Sequence, residues 1–174
     1  MLPETLFRIQ LVLGYVACLL CLGAYVLPRL RLMNRVAAHR VIATVHSFRF
    51  FGLVFLLPGV VGASLPAEFA QYAAYGDFAT GVLALLALLS VRIRPLFWTF
   101  VVGFNVVGIA DLLIDYYHAI RLNVPAIAGQ LGAMYWVPII YVPVLMITHV
   151  YALYLLARPQ ARESGVLQSA AAAL

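Results

Sequence analysis

The residues of this chain that could do chemistry are few, and they sit where charge is expensive. His46, Arg49, Asp77, Asn105, Asp111, Asp115, His118 and His149 all lie within or at the ends of strongly apolar runs. An ionisable side chain in hydrocarbon costs at least a few kcal/mol, so it ordinarily faces a bundle interior and marks a function. Two layers emerge. In one, His46 and His149 come from different runs at similar depth, the minimum for two axial ligands to a haem b. Arg49 follows His46 by three residues, on much the same helix face, and can pair with a propionate. Phe48, Phe50, Phe51 and Tyr151 would suit a porphyrin edge. The plainer reading is that His149 and Arg49 are hydrogen-bonded structural groups, Arg49 reaching for the interface. In the other layer, Asp111, Asp115 and His118 are spaced by four and three and stack on one helix face. With Asp77 they make a carboxylate and imidazole set suited to a divalent metal or a proton relay, and Asp-x-x-His has the spacing of a bundle carboxylate-metal motif. Asp115 and His118 also fit simple hydration near the interface, which leaves Asp77 and Asp111 as the pair that demands an explanation. Joined end to end, Asp77, Asn105, Asp111, Arg49 and His149 would run most of the way through a membrane, as a proton or ion path requires.

Other chemistry is excluded or weakened. The sequence has eleven basic residues, all arginine. A retinal or other aldehyde held as a Schiff base needs a lysine amine and is ruled out. The net charge of +5 reads as topology information or attraction to anionic headgroups, with no nucleic-acid motif beside it. Cys18 and Cys21 have the C-x-x-C spacing but sit midway along an apolar run, without a cation or helix start to lower a thiol pKa, so they read as small core residues. No nucleophile triad, phosphate loop or zinc motif is present.

The elements that position these groups must be membrane helices. Of 174 residues, 66% are hydrophobic and 10% charged, with a mean hydropathy of +1.03, against roughly a quarter charged in soluble domains. At about 20 residues per crossing, the expectation is an all-α polytopic bundle of about five spans, near 7–27, 43–61, 68–91, 95–118 and 131–157. These form one domain over 1–157, followed by a cytoplasmic tail over 158–174. The first run is too long for a signal peptide and lacks a small-residue cleavage pattern. Arg29, Arg31, Arg35, Arg40, Arg92, Arg94, Arg158 and Arg162 fall on one side of these spans. The positive-inside rule makes that side cytoplasmic and the N-terminus external. Leu30 to Arg40 alternates arginine with apolar residues, as an interfacial amphipathic helix does. Small residues at four-residue spacing, Ala70/Ala74, Gly76/Thr80 and Thr80/Ala84, predict a central third span. Pro58, Pro138 and Pro143 predict kinks.

The runs FRFFGLVFLLP from Phe48, GASLPAEFA from Gly62, AYGDFATGVLA from Ala74, FNVVGIADLL from Phe104 and VPIIYVPVLMITHV from Val137 resemble a family of uncharacterised bacterial polytopic membrane proteins. The resemblance covers roughly residues 46 to 155 and implies no activity. It marks Arg49, Asp77, Asn105, Asp111, Pro143 and His149 as matching the family's polar and proline pattern. At the position of His46 the family takes glutamine as readily, which turns the resemblance toward a site built from Arg49, Asp77, Asn105, Asp111 and His149.

Three classes of function follow. The first is a binding protein holding a small ligand, haem b or a metal in a polar intramembrane pocket, for electron transfer or sensing. The second is a small proton- or ion-coupled transporter or channel, with a homo-oligomer open to it. The third is a membrane enzyme on a lipid or isoprenoid substrate, with Asp77 and Asp111 as acid-base groups. The first is the reading carried forward, with the lipid bilayer of a bacterial cytoplasmic membrane as the expected surroundings.

Overall fold

With no water to satisfy backbone N–H and C=O groups, an apolar run in lipid closes its hydrogen bonds within itself and becomes a helix. The computed structural model describes residues 2–158, which are helical nearly throughout and hold no strand. Among them, four helices are long and apolar enough to cross a membrane: Pro3–Leu32, Ala67–Leu89, Arg94–Arg121 and Val137–Ala157. The fold is therefore the expected all-α membrane bundle. Of the cytoplasmic tail expected over 158–174, residues 159–174 lie outside the described residues.

The first crossing is α1 (Pro3–Cys21), a π turn (Leu22–Val26) and α2 (Leu27–Leu32). The last is a π turn (Val137–Tyr141) followed by α6 (Val142–Ala157). Both π turns have one cause. Pro28 and Pro143 each stand two residues past the turn, and each lacks the N–H that a regular turn would use and carries a ring that would strike the carbonyl four residues back. Widening the preceding turn removes that clash without breaking the helix.

The expected second span, 43–61, is corrected. It begins earlier, as α3 (Arg35–Ser47), changes at Phe48 into a 3-10 helix (Phe48–Leu56), and ends by Leu56. Neither piece, of 13 and 9 residues, is long enough alone. At 1.5 Å and 2.0 Å per residue together they reach roughly 37 Å, sufficient for a hydrocarbon core of about 30 Å. Their contacts agree, since Arg35 at one end bonds Leu156 O near the end of α6 and Phe55 at the other packs on Phe69 near the start of α4. The interfacial helix expected over Leu30 to Arg40 is also corrected. The chain breaks at Met33, Asn34 caps α3 by accepting from Ala37 N at 2.8 Å, and Leu30, Ala38 and His39 are buried rather than lying on a surface.

α4 (Ala67–Leu89) and α5 (Arg94–Arg121) match the expected third and fourth spans to within a few residues. α4 is central as expected, burying Ala70, Ala73, Ala74, Thr80, Gly81, Ala84 and Ala87 against α5, α3 and the 3-10 helix. The fifth span was expected from Leu131. Leu131 belongs instead to a 3-10 segment, Val124–Met134, that covers the end of the bundle, and Gly132 at φ 54° breaks the backbone before the crossing begins. α1 lies at the periphery, with Val12, Leu13 and Leu20 exposed. Buried apolar residues form two clusters, one around Phe55, Phe69 and Leu131, the other around Ile42, Phe97 and Phe104. The polar residues lie between them.

Candidate functional site

Arg49 is the second residue of the 3-10 helix, and its side chain has no exposed surface. A guanidinium carries N–H donors in a rigid plane and no acceptor, so burying it requires acceptors from several directions. Nε donates to Asp77 Oδ1 at 2.6 Å, from α4. Nη2 donates to Asp111 Oδ2, from α5. Nη1 points at His149 Nε2 at 3.2 Å, from α6, and at Gly108 O at 3.4 Å. Four elements thus meet at one side chain.

The outer partners set the proton positions. Asn105 Nδ2 donates to Val101 O at 2.7 Å, which turns Asn105 Oδ1 toward His149 Nδ1 at 2.9 Å. That oxygen only accepts, so His149 Nδ1 carries the proton. His149 Nε2 faces a guanidinium that only donates, so it offers its lone pair. His149 is therefore a neutral imidazole aligned between Asn105 and Arg49. His46 follows similar logic. Thr148 Oγ1 donates to Val144 O at 2.7 Å and accepts from His46 Nε2 at 3.0 Å, and His46 Nδ1 is buried without a partner.

Three glycines make room for this cluster. A Cβ on Gly52 would collide with the Asp77 carboxylate, one on Gly76 with that of Asp111, and one on Gly108 with His149 Nε2 and Arg49 Nη1. These are site residues that sequence reasoning missed, although Gly76-Asp77 and Gly108 three residues before Asp111 are visible as small residues beside intramembrane carboxylates. Thr148 was missed as well, its hydroxyl reading as an ordinary helix residue.

The expected cofactor geometries do not fit. The His46 and His149 rings lie against each other, with centroids 3.9 Å apart and a tilt of 39°. No porphyrin fits between rings in contact, and both Nε2 atoms are engaged elsewhere. In this arrangement Arg49 is held by Asp77 and Asp111 and is not free for the propionate of the expected bis-histidine haem b. The metal set of Asp77, Asp111, Asp115 and His118 does not converge either. A guanidinium occupies the space between Asp77 and Asp111, and His118 turns to Glu68, 3.4 Å away, and stacks on Tyr72. Among the described residues no three His, Cys, Asp or Glu side chains gather as metal ligands. Of the predicted polar path, Asp77, Arg49, Asp111, His149 and Asn105 are brought together, and they form a cluster rather than a line.

Two spaces flank the cluster. A cavity of about 370 Å³ among Phe7, Phe55, Phe69, Leu131 and Leu145 has Asp77 and Asp115 in its wall. Asp115 lies one turn beyond Asp111, and its Oδ1 is buried without a partner. A groove of about 800 Å³ between α4 and α5, lined by Tyr72, Tyr75, Gly76 and Val107, has Asp111 in its floor. The two carboxylates that hold Arg49 thus face different spaces.

Helices of this length around a buried arginine and its aspartates define a polytopic helical membrane protein with an intramembrane polar core. A family model described as a domain of unknown function, DUF8737, matches residues 6–157, and the chain belongs to that family. No curated protein and no solved structure matches the chain.

Proposed function

We propose that this chain is a membrane-embedded binding protein for a small, mostly apolar ligand with a hydrogen-bond donor, an amine or a hydroxyl, at one end. The observation that carries this reading is the 370 Å³ cavity, walled by aromatic and aliphatic side chains and bearing the carboxyl groups of Asp77 and Asp115. Ligand pockets usually measure about 300–1,000 Å³ and combine apolar walls with a few convergent polar groups. Carboxyl oxygens accept hydrogen bonds, so a donor on the ligand is matched by the Asp77 and Asp115 carboxyl groups in the wall. Arg49 keeps Asp77 fixed in the wall. The positive-inside rule further supports the arginine-rich end in the cytoplasm of a bacterial inner membrane and the N-terminus outside.

The test is thermal unfolding of the full chain in detergent against a panel of lipophilic amines, alcohols and donor-free isosteres of equal size. Amines or alcohols are expected to raise the unfolding temperature, and Asp115→Asn to remove most of that shift. Equal stabilisation by donor-free isosteres would refute the reading.

A second reading is proton- or cation-coupled transport. It is favoured by Asp77 and Asp111 opening onto different spaces, with Arg49 between them. Proteoliposomes carrying the chain would then show an ion or pH flux that Asp77→Asn abolishes. No flux in either chain would leave the binding reading alone.

A further inference from the structure

We infer a binding site for the phosphate of an anionic phospholipid at the arginine-rich end of the bundle, built by Arg31 and Arg158 around Tyr154 and by Arg35 at Leu156 and Trp98. α2 ends, α3 begins and α6 ends at the same place. Arg31 Nη2 donates to Tyr154 OH at 2.9 Å, and Arg158 lies 5.6 Å from the centroid of the same ring. Arg35 is anchored beneath by Leu156 O at 2.5 Å and by the Trp98 face at 5.6 Å. The exposed guanidiniums of Arg31 and Arg158 keep N–H groups free to face a phosphodiester, and Arg35 is held in place beside them.

Charge and depth select the occupant. The aspartates and glutamates among the described residues lie elsewhere, Glu4 and Glu68 toward the opposite end and Asp77, Asp111 and Asp115 inside the bundle. No carboxylate among them can neutralise this cluster. Leu32, Met33, Leu89 and Ile93 are exposed apolar residues at the same end, which sets the arginines at headgroup level rather than out in water. The inference is independent of the ligand proposed for the cavity.

The experiment is native mass spectrometry of the full chain released from nanodiscs of equal phosphatidylglycerol and phosphatidylcholine. Phosphatidylglycerol is expected to be retained in preference, less so at high salt. Arg31→Gln with Arg158→Gln is expected to lower its retention about 25-fold, at roughly fivefold per guanidinium lost, while Arg8→Gln at the other end leaves it unchanged. Equal retention of the two lipids by the unaltered chain overturns the inference, and this needs no variant to fold. Equal loss in Arg8→Gln overturns it too. Displacement of phosphatidylglycerol by millimolar inorganic phosphate would assign the cluster to a free anion and overturn the lipid.

Discussion

Arg49 concentrates the energetics of this protein in one side chain. Leaving Asp77 and Asp111 buried without their cation is expected to cost about 3–5 kcal/mol, so Arg49→Met is expected to lower stability by that amount in denaturant titrations in detergent. Arg49→Lys is expected to recover only part of it, because an ammonium lacks the planar fork that reaches Asp77, Asp111 and His149 together. A lysine variant as stable as the unaltered chain would contradict the role of the fork. The members of the cluster were legible in the sequence by type alone, since Arg, Asp, Asn and His stand out against hydrocarbon. Their partners were not. Depth counted from an expected start near 43 puts Arg49 close to one end of its span, whereas the helix begins at Arg35 and carries Arg49 to mid-depth, level with Asp77. Two histidines at similar depth were read correctly as neighbours, but nothing in their spacing could distinguish rings in contact from rings spread around a porphyrin.

At the scale of elements, close approach is permitted by what the helices lack. Gly76→Ala and Gly108→Ala are each expected to destabilise by about 1–3 kcal/mol, because the added methyl lands on Asp111 or on His149 and Arg49. Gly23→Ala, where a Cβ would meet nothing within 4 Å, is expected to be neutral or to stabilise by up to about 1 kcal/mol. Thermal unfolding of the three variants side by side checks both signs. The long helices were legible because apolar length alone specifies a crossing. The 3-10 helix was not, since FRFFGLVFL is as apolar as any α-helical span and its form follows from the tertiary need to bring Arg49 and Gly52 against α4. The π turn before Pro143 could be foreseen only as a kink and the one before Pro28 not at all, because proline fixes where a helix must adjust and not how.

For the molecule as a whole, whether α3 and the 3-10 helix together cross decides the topology. Single cysteines placed by Met33→Cys and Ser64→Cys, in a chain with Cys18 and Cys21 replaced by alanine, are expected to react with an impermeant maleimide from opposite faces of a sealed vesicle. Reaction from the same face would mean that residues 35–56 do not cross. The general architecture was legible at this scale because composition dictates the solvent, and the solvent dictates helices. The two apolar clusters with a polar waist between them depend on which faces meet, and that follows from packing.

The gathering of arginines at one end also gives the bundle an electrical polarity along the membrane normal. An energised membrane, negative on one side, acts on each unbalanced charge with about 2.3 kcal/mol per 100 mV. Reversing the chain would carry Arg29, Arg31, Arg35 and their neighbours across that whole potential. An orientation with the arginines on the negative side would therefore be held by work against the field in an energised membrane, and a de-energised vesicle offers no such bias beyond that of its lipids.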